Sequence, residues 1–368
     1  MTLDTRQGTG GSAARPEGAT VDVHAHALLP EVDELAARDP RFAQHADLER
    51  RRNGDAAIEV NRAMVGARIP QLTQVERRLA DMDAAGIDVQ VVSPSPSHYH
   101  YWADHDLATQ LAHRANDSIA KLVAAAPERL VGFGLVPIQH PDLAVEALDH
   151  AVLVRGLRGV EISSHAALPG GGTIELSDAR LEPLWRRAAE LSAVVFLHPF
   201  GCSLDERLNR SYLSNIVGQP VENAVALSHL IFAGVLDRHP DLRLLVSHGG
   251  GYLPTYLGRS DHGWQVRTDA RGCERPPSSY LSRIHFDSLV HTPDALRSLV
   301  EAVGVEQVLL GSDYPFDMGV EDPLARLEGA ALTDREKQVI RGGNAARLDL
   351  LPIPIDRAGQ STARGATT

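Results

Sequence analysis

Two histidines in a short apolar segment are the first residues of this chain that could do chemistry. The segment reads Val21-Asp22-Val23-His24-Ala25-His26. Because side chains two residues apart in a β-strand point to the same side, both imidazoles can reach one metal ion. Two unrelated strand histidines would show the same spacing, so the motif alone leaves both interpretations open.

Three further ionisable residues each follow an apolar run elsewhere in the chain. They are His198 in FLHPF, His248 in LVSHGGG and Asp313 in LLGSDYP. A histidine that only packs in the core would explain any one of them. If the apolar runs are strands that close into a barrel, their ends converge on one mouth. That arrangement favours a shared site.

The chemistry of this set predicts a metal centre. Three neutral imidazoles, from His24, His26 and His198, and the Asp313 carboxylate suit Zn²⁺, and Mn²⁺, Fe²⁺ or Co²⁺ accept similar ligands. We therefore expect one divalent metal ion, with zinc favoured and manganese as the alternative. Such a cation can lower the pKa of water to about 7 or polarise a carboxylate. His248 is then free for proton transfer, and Asp313 combines a ligand role with a catalytic one.

The elements that must position these residues alternate between strand and helix. Eight apolar runs are predicted as strands: Thr20–His26, Gly86–Ser95, Leu130–Ile138, Gly156–His165, Ala193–Phe200, Leu242–Gly250, Ile284–Val290 and Val305–Phe316. They are nearly continuous in Val, Ile and Leu, as in parallel strands buried on both faces. Helical periodicity is clear in Gln74–Ala85 and Asp104–Ala126. This order predicts an α/β fold, a (β/α)8 TIM barrel over residues 20–355.

Three segments lie outside this alternation. Residues 27–73 are too many for an ordinary βα loop, so we expect a lid or insertion after the first strand. Loops of this kind sit at the C-terminal face of a barrel, where active sites are built. Residues 1–19 and 356–368 are rich in small and polar residues without apolar periodicity, and we predict two flexible tails.

Composition excludes several classes of partner. The net charge of −12 disfavours binding to nucleic acid or to an anionic membrane surface. No segment approaches the roughly 20 apolar residues needed to span a bilayer. The two cysteines, Cys202 and Cys273, form no CxxC pair, so neither a disulfide framework nor a cysteine zinc site is indicated. We expect a cytoplasmic protein that acts on a small molecule.

Longer stretches of residues 20–350 resemble a known family. They are DVHAH, MDAAGIDVQVVS, YWAD, GVEISSH, FLHP, GQPVE, SHGGGYLPTYLGR, FDSLVH and LLGSDYPF. This set is similar to the amidohydrolase-related decarboxylases of the amidohydrolase superfamily, the group typified by 2-amino-3-carboxymuconate-6-semialdehyde decarboxylase. The resemblance implies the four metal ligands already named and His248 as the catalytic histidine. It also implies that Arg259 reaches toward a substrate carboxylate in the neighbouring subunit, and hence a homodimer.

Several pocket positions depart from the family pattern. Asn215 stands where the type enzyme has a substrate-facing tryptophan, and Phe200 replaces the tryptophan of its HPW sequence. The lid arginine of that enzyme has two candidates here, Arg62 and Arg68. We assign Arg259, Asn215, Phe200 and Trp102 to substrate binding. These differences alter the pocket wall and leave the metal ligands intact.

Three further positions bear on the metal count and on the pocket. Glu161, in the fourth predicted strand, stands near where other amidohydrolases carry a metal-bridging lysine, and its carboxylate is expected to support a ligand. The absence of a lysine there favours one metal ion. His165 and Tyr101 are further residues that could line the pocket or simply pack.

The predicted function is metal-dependent, nonoxidative decarboxylation of an unsaturated or aromatic carboxylic acid. The metal and Arg259 would hold the carboxylate while His248 manages the proton. A hydrolase or hydratase acting on a lactone, an amide or a C–C bond could use the same scaffold, because fold and ligands are shared among these reactions. A metal-stabilised binding protein is a third possibility, which the free base beside the metal disfavours.

Overall fold

The computed structural model describes residues 18–168 and 171–352, in which ten strands are present. In chain order the strands are β1 (Val21–Ala27), β2 (Val89–Pro94), β3 (Leu130–Leu135), β4 (Gly159–Ile162), β5 (His165–Ala167), β6 (Thr173–Glu175), β7 (Val194–Leu197), β8 (Arg243–Val246), β9 (Ile284–Asp287) and β10 (Val308–Leu309). Strands β5 and β6 form a separate antiparallel ribbon. The other eight form one sheet in which every observed pairing is parallel.

The sheet closes between its first strand and the segment after its last strand. Backbone N–H groups donate across this seam from Val23 to Leu310 O at 2.9 Å, from His26 to Tyr314 O at 2.8 Å and from Asp313 to His24 O at 2.8 Å. Sequential strand order and this closure confirm the predicted (β/α)8 barrel.

Helices alternate with the barrel strands, and four of them fill the segment after β1. The helices are α1 (Pro30–Ala36), α2 (Arg41–Asn53), α3 (Asp55–Ala67), α4 (Ile69–Thr73), α5 (Val75–Ala85), α6 (His105–Ala125), α7 (Pro141–Asp149), α8 (Glu182–Glu190), α9 (Leu213–Ile216), α10 (Gly218–Phe232), α11 (Val235–Arg238), α12 (Leu257–Val266), α13 (Pro293–Val303), α14 (Pro323–Gly329), α15 (Asp334–Gln338) and α16 (Asn344–Arg347). Helix α6 begins where the Asp104 side chain accepts the Leu107 N–H, as expected for an N-cap.

Two apolar layers support the barrel. The interior is filled mainly by alternate residues of the strands: Val21, Val23, Val89, Val91, Val131, Phe133, Val194, Phe196, Leu245 and Leu309. A larger layer of buried Leu, Val, Ile and Ala packs between the outer face of the sheet and the helices. Because the interior is packed with side chains, polar chemistry is confined to the mouth of the barrel.

Some predicted boundaries differ from those observed. The predicted last strand reduces to Val308–Leu309, because residues 305–307 form a 3₁₀ turn and the chain then leaves regular pairing toward Asp313. The predicted fourth strand ends at Ile162, and His165 belongs to the ribbon. Of the two predicted tails, only residues 18 and 19 are among the described residues. Residues 1–17 and 356–368 lie outside them. In the described ranges, no helix combines the length and apolarity needed to cross a membrane.

Candidate active site

A β-bulge in β1 brings the two histidines of the HxH motif into the barrel. Val21 pairs with Val89 and Asp22 with Gln90, but the next pair joins Ala25 to Val92. Strand β1 therefore contains one residue more than β2 over this interval. A regular strand with Val21 and Val23 inside would turn His24 and His26 outward. The bulge reverses this alternation and directs both imidazoles inward.

Four of the predicted residues meet at the mouth of the barrel. His24, His26, His198 and Asp313 are buried, and one ligand atom from each lies within 4.8 Å of every other. Nε2 of His24 lies 3.0 Å from Nε2 of His26, and the two atoms are 3.3 and 3.2 Å from Asp313 Oδ1. Distances of this size suit side chains that share one central ion.

The outer nitrogen of each imidazole is held by an oxygen. The contacts are His24 Nδ1 to Asp287 Oδ2 at 2.6 Å, His26 Nδ1 to Pro94 O at 3.2 Å and His198 Nδ1 to Pro199 O at 3.0 Å. An oxygen acceptor keeps the proton on Nδ1, so each Nε2 points a lone pair at the centre. This is the arrangement expected of metal-ligating histidines.

The converging atoms need a positive charge between them. Within the described ranges, His198 Nε2 and Asp313 Oδ1 have no hydrogen-bond partner. Burial lowers the pKa of His24, but the Asp313 charge and the Asp287 hydrogen bond outweigh it and raise that pKa to about 10. The same negative charge that favours a proton on His24 also favours a bound metal cation. The four residues thus fit a divalent metal ion.

His248 lies beside this centre on a glycine-rich turn. Its Nε2 is 3.7 Å from Asp313 Oδ2, its ring centroid is 4.9 Å from that of His198, and Nδ1 is 3.2 Å from Ser247 Oγ. The side chain is 17% exposed, so it can exchange protons with a ligand in the mouth. A Cβ at Gly251, where φ is +63°, would stand 2.2 Å from Pro220 O. The turn that presents His248 therefore requires glycine.

Asp287 contacts the candidate metal centre and was not identified from the sequence. Its Oδ2 holds His24, and its Oδ1 accepts the N–H groups of Gly249 at 2.8 Å and Leu289 at 3.1 Å. One buried carboxylate thus links a metal ligand to the turn that carries His248. The signal available was a carboxylate at the C-terminal end of strand β9, in FDSLVH.

Glu161, whose carboxylate was expected to support a metal ligand, lies beside His26. Its Oε2 is 3.6 Å from His26 Nδ1, and Tyr99 donates its hydroxyl to Glu161 Oε1 at 2.6 Å. The same hydroxyl lies 2.8 Å from the His198 carbonyl oxygen. Burial raises the pKa of Glu161. Tyr101 is buried and stacks on Tyr99 at 5.2 Å between ring centroids.

A second buried carboxylate pins the loop after β7. Glu222 accepts the backbone N–H and the hydroxyl of Ser203 at 2.6 Å each, and it lies 3.2 Å from His165 Nδ1. Burial raises the pKa of Glu222, but the hydrogen bonds from His165 and Ser203 outweigh it and lower the pKa to about 2. His165 thus holds a loop at the mouth of the barrel.

Two cavities share Asn215 and Gln219 in their walls, and the first of them opens beside His248. One of about 240 Å³ is lined by His248, Asn215, Gln219, Tyr252, His291 and Met318 among others. The other, of about 160 Å³, is lined by Phe200 together with Asn215, Gln219 and residues of α2 and α3. Asn215 and Phe200, assigned to substrate binding from the sequence, therefore line these cavities. His291 and Gln219 were not predicted from the sequence.

Trp102 and Arg259 lie elsewhere. Trp102 packs beneath α2, with Phe42 6.3 Å away between ring centroids and the Arg41 guanidinium over its face at 5.8 Å. Arg259 is exposed on α12. Neither residue lines the cavity that contains His248.

Neither lid arginine proposed from the sequence faces the pocket. Arg62 is exposed on α3, and Arg68 donates to Pro315 O at 2.6 Å. Arg52, on α2, comes closer, because its Nη1 lies 3.4 Å from the position that a Cβ on Gly201 would occupy. Only the three-dimensional packing of α2 on the loop after β7 identifies Arg52.

An eight-stranded parallel barrel with three imidazoles and a carboxylate converging at its mouth is the arrangement of a metal-dependent barrel enzyme. Residues 21–348 match the family model described as amidohydrolase. The chain belongs to this amidohydrolase family.

Individual relatives are similar over most of the chain. It is 34% identical over 271 residues to 2-amino-3-carboxymuconate-6-semialdehyde decarboxylase of Dictyostelium discoideum, covering 73% of this chain and 74% of the relative. It is 29% identical over 283 residues to gamma-resorcylate decarboxylase of Rhodococcus jostii, covering 74% and 86%. The crystal structure of 5-carboxyvanillate decarboxylase from Sphingomonas paucimobilis has a TM-score of 0.77 and 26% identity, over 91% of this chain and 99% of the other.

Proposed function

We propose that this protein is a metal-dependent, nonoxidative decarboxylase of an aromatic or unsaturated carboxylic acid. The observation that carries the proposal is the convergence of three Nε2 atoms and Asp313 Oδ1, with His248 3.7 Å from the same carboxylate. The similar proteins named above are decarboxylases of a carboxymuconate semialdehyde, a resorcylate and a carboxyvanillate. Their names support decarboxylation over hydrolysis.

His24, His26, His198 and Asp313 would hold the metal, and zinc is our choice because three imidazoles and one carboxylate suit it. When bound, the metal supplies Lewis acidity that orients and polarises a substrate carboxylate. The bond between the substrate carbon and its carboxyl carbon breaks, and the electron pair stays on the substrate carbon. Carbon dioxide leaves, and His248 delivers a proton to the vacated carbon. His248 then recovers a proton from solvent through the open cavity.

The pocket walls support a flat substrate of modest size. The cavity of about 240 Å³ beside His248 is lined by apolar Leu289, Val290 and Met318 and by the amides of Asn215 and Gln219. Apolar walls accept a ring or a conjugated chain, and the amides can bind its polar substituents. Phe200 would contact the substrate from the adjoining cavity.

We also propose a homodimer, with Arg259 near the neighbouring active site. Arg259 is exposed on α12, close in sequence to Tyr252 and Tyr256, which are 47% and 69% exposed. An open groove lined by Val221, Val225, Phe232 and Tyr252 adjoins this surface. Exposed aromatic residues next to an apolar groove and an arginine are typical of a protein interface.

We further propose a cytoplasmic location. Cys202 and Cys273 are both free and buried, as expected in a reducing compartment.

The proposed function is tested by carbon dioxide release. The protein is stripped of metal with a chelator, reloaded with Zn²⁺ or Mn²⁺, and assayed against a panel of hydroxylated benzoic acids and muconate-type acids. We expect release only from the reloaded protein, and a loss of about 100-fold or more in His248→Gln with metal still bound. Reloaded wild-type protein that releases no carbon dioxide from any acid of the panel would refute the proposal.

A further inference from the structure

A buried arginine on α5 reaches the strand that carries two of the metal ligands. Arg78 is 1% exposed, and its Nη2 donates to the carbonyl oxygen of His26 at 2.6 Å. Its Nη1 donates to Gln90 Oε1 at 2.7 Å. The guanidinium also lies 4.9 Å from the ring centre of Tyr314, the residue after Asp313. One side chain thus contacts both edges of the barrel seam.

Gln90 connects Arg78 to the buried carboxylate of Asp22. Its Nε2 donates to Asp22 Oδ2 at 2.9 Å. Asp22 also accepts the His24 backbone N–H at 3.2 Å, the Ser312 backbone N–H at 3.0 Å and the Ser312 hydroxyl at 2.6 Å. Arg78, Gln90 and Asp22 form one continuous set of hydrogen bonds, which we call the brace. It ends on the residues next to Asp313 and on the backbone of His24.

The brace spans the β-bulge on which the metal centre depends. Pairing with β2 is regular at Asp22 and again at Ala25, and the irregular residues lie between them. A bulge interrupts the ladder, so its backbone groups need other partners. Asp22 binds the backbone N–H of His24 inside the bulge, and Arg78 binds the carbonyl oxygen of His26 just beyond it. The irregular segment is therefore held from both sides.

We propose that the brace is a positioning device for the metal ligands. It fixes the bulge that turns His24 and His26 inward, and through Ser312 it fixes the start of the turn that presents Asp313. Arg78 and Gln90 touch neither the ligand atoms nor the cavity beside His248, so they act through the backbone. The inference rests on the metal centre of the proposed function. It also assigns a role to the GIDVQ stretch, residues 86–90, which ends on Gln90.

The proposal is tested on metal affinity and ligand geometry rather than on turnover. Zn²⁺ affinity is measured by chelator competition, and the visible absorption of the Co²⁺-loaded protein reports ligand geometry. Arg78→Met and Gln90→Leu are expected to weaken Zn²⁺ binding about 10- to 100-fold, as for other residues that orient metal ligands, and to change the Co²⁺ bands. Arg78→Lys should recover part of the affinity, because lysine keeps the positive charge but lacks the planar guanidinium that reaches both His26 O and Gln90 Oε1.

Arg129→Met is the matched control. Arg129 also bridges backbone and carboxylate oxygens near the same strand, at Asp88 O, Ile87 O and Asp83 Oδ1, but at the end of β2 away from the site. It should lower thermal stability and leave Zn²⁺ affinity and the Co²⁺ spectrum unchanged. Circular dichroism at 25 °C establishes that each variant is folded, and Gln90→Leu and Arg78→Lys carry the test if Arg78→Met does not fold.

Four results would overturn the brace. Arg78→Met and Gln90→Leu could bind Zn²⁺ as tightly as wild type with an unchanged Co²⁺ spectrum. Arg129→Met could change both readouts as much as they do. All three brace variants could fail to fold, which would make the brace a requirement of the barrel rather than of the ligands. If wild-type protein bound no divalent cation, the metal centre of the proposed function would be refuted together with the brace. The other three results would refute the brace alone.

Discussion

Asp287→Asn should weaken metal binding while disturbing the fold less than a substitution of any metal ligand would. The side chain keeps its size, and its remaining oxygen can still accept the N–H groups of Gly249 and Leu289. The amide NH₂ then faces His24 Nδ1, where the carboxylate now accepts a hydrogen bond of 2.6 Å. Two donors cannot face each other, so the His24 proton moves to Nε2. That nitrogen no longer offers a lone pair to the metal.

The expected loss follows from removing the group that orients a ligand. Such changes typically cost about 10- to 100-fold in metal affinity, or about 1.4 to 2.7 kcal/mol. Zn²⁺ affinity is measured by chelator competition, with thermal unfolding of the metal-free protein as a second readout. Asp237→Asn is the control, because Asp237 also accepts two hydrogen bonds, from Tyr280 and Glu274, away from the site. Asp287→Asn with wild-type Zn²⁺ affinity would refute the assigned geometry.

Three further predictions concern the residues around the centre. His248→Gln should reduce the rate of decarboxylation by about 100-fold or more with metal content unchanged, and a smaller loss would argue against its role in proton transfer. The pKa of Glu222 is lowered from 4.5 to about 2, so its contribution to the free energy of unfolding is complete above pH 4.5 and is lost as the pH falls toward 2. The stability of Glu222→Gln, measured by acid unfolding, should lack this loss. A pH profile identical to that of wild type would contradict the assignment. Gly251→Ala should destabilise the protein by about 1 to 3 kcal/mol, because its Cβ would meet Pro220 O. Gly258→Ala, which has open space around its Cβ, should not. Equal melting temperatures for the two variants would contradict this prediction.

The fold and the convergence of the four candidate metal ligands were predictable because each is marked by a local pattern. Apolar runs recur in βα order, and His198 and Asp313 follow such runs directly. Parallel closure then brings strand ends together whatever their separation in the chain. The reasoning for the HxH motif was incomplete, because its two-residue spacing faces the barrel interior only after the bulge in β1.

What the sequence left undetermined depends on packing between distant segments. Asp287 and Arg78 were not singled out, because a carboxylate or a guanidinium near a strand has no local signature of what it binds. The lid arginine could be narrowed only to candidates, Arg62 and Arg68, for the same reason, since four consecutive helices can turn any of their arginines toward the barrel. Arg52 approaches the loop after β7, while Arg68 binds Pro315.

The most direct test of decarboxylation at this metal centre is product analysis in labelled water. Metal-loaded protein is incubated with each acid of the panel in D₂O and, separately, in H₂¹⁸O, and the products are examined by mass spectrometry and NMR. We expect carbon dioxide and a product with one deuterium on the vacated carbon and no ¹⁸O, in amounts that vanish when the metal is removed. A product that contains ¹⁸O and retains its carboxyl carbon would instead establish a hydrolase or hydratase.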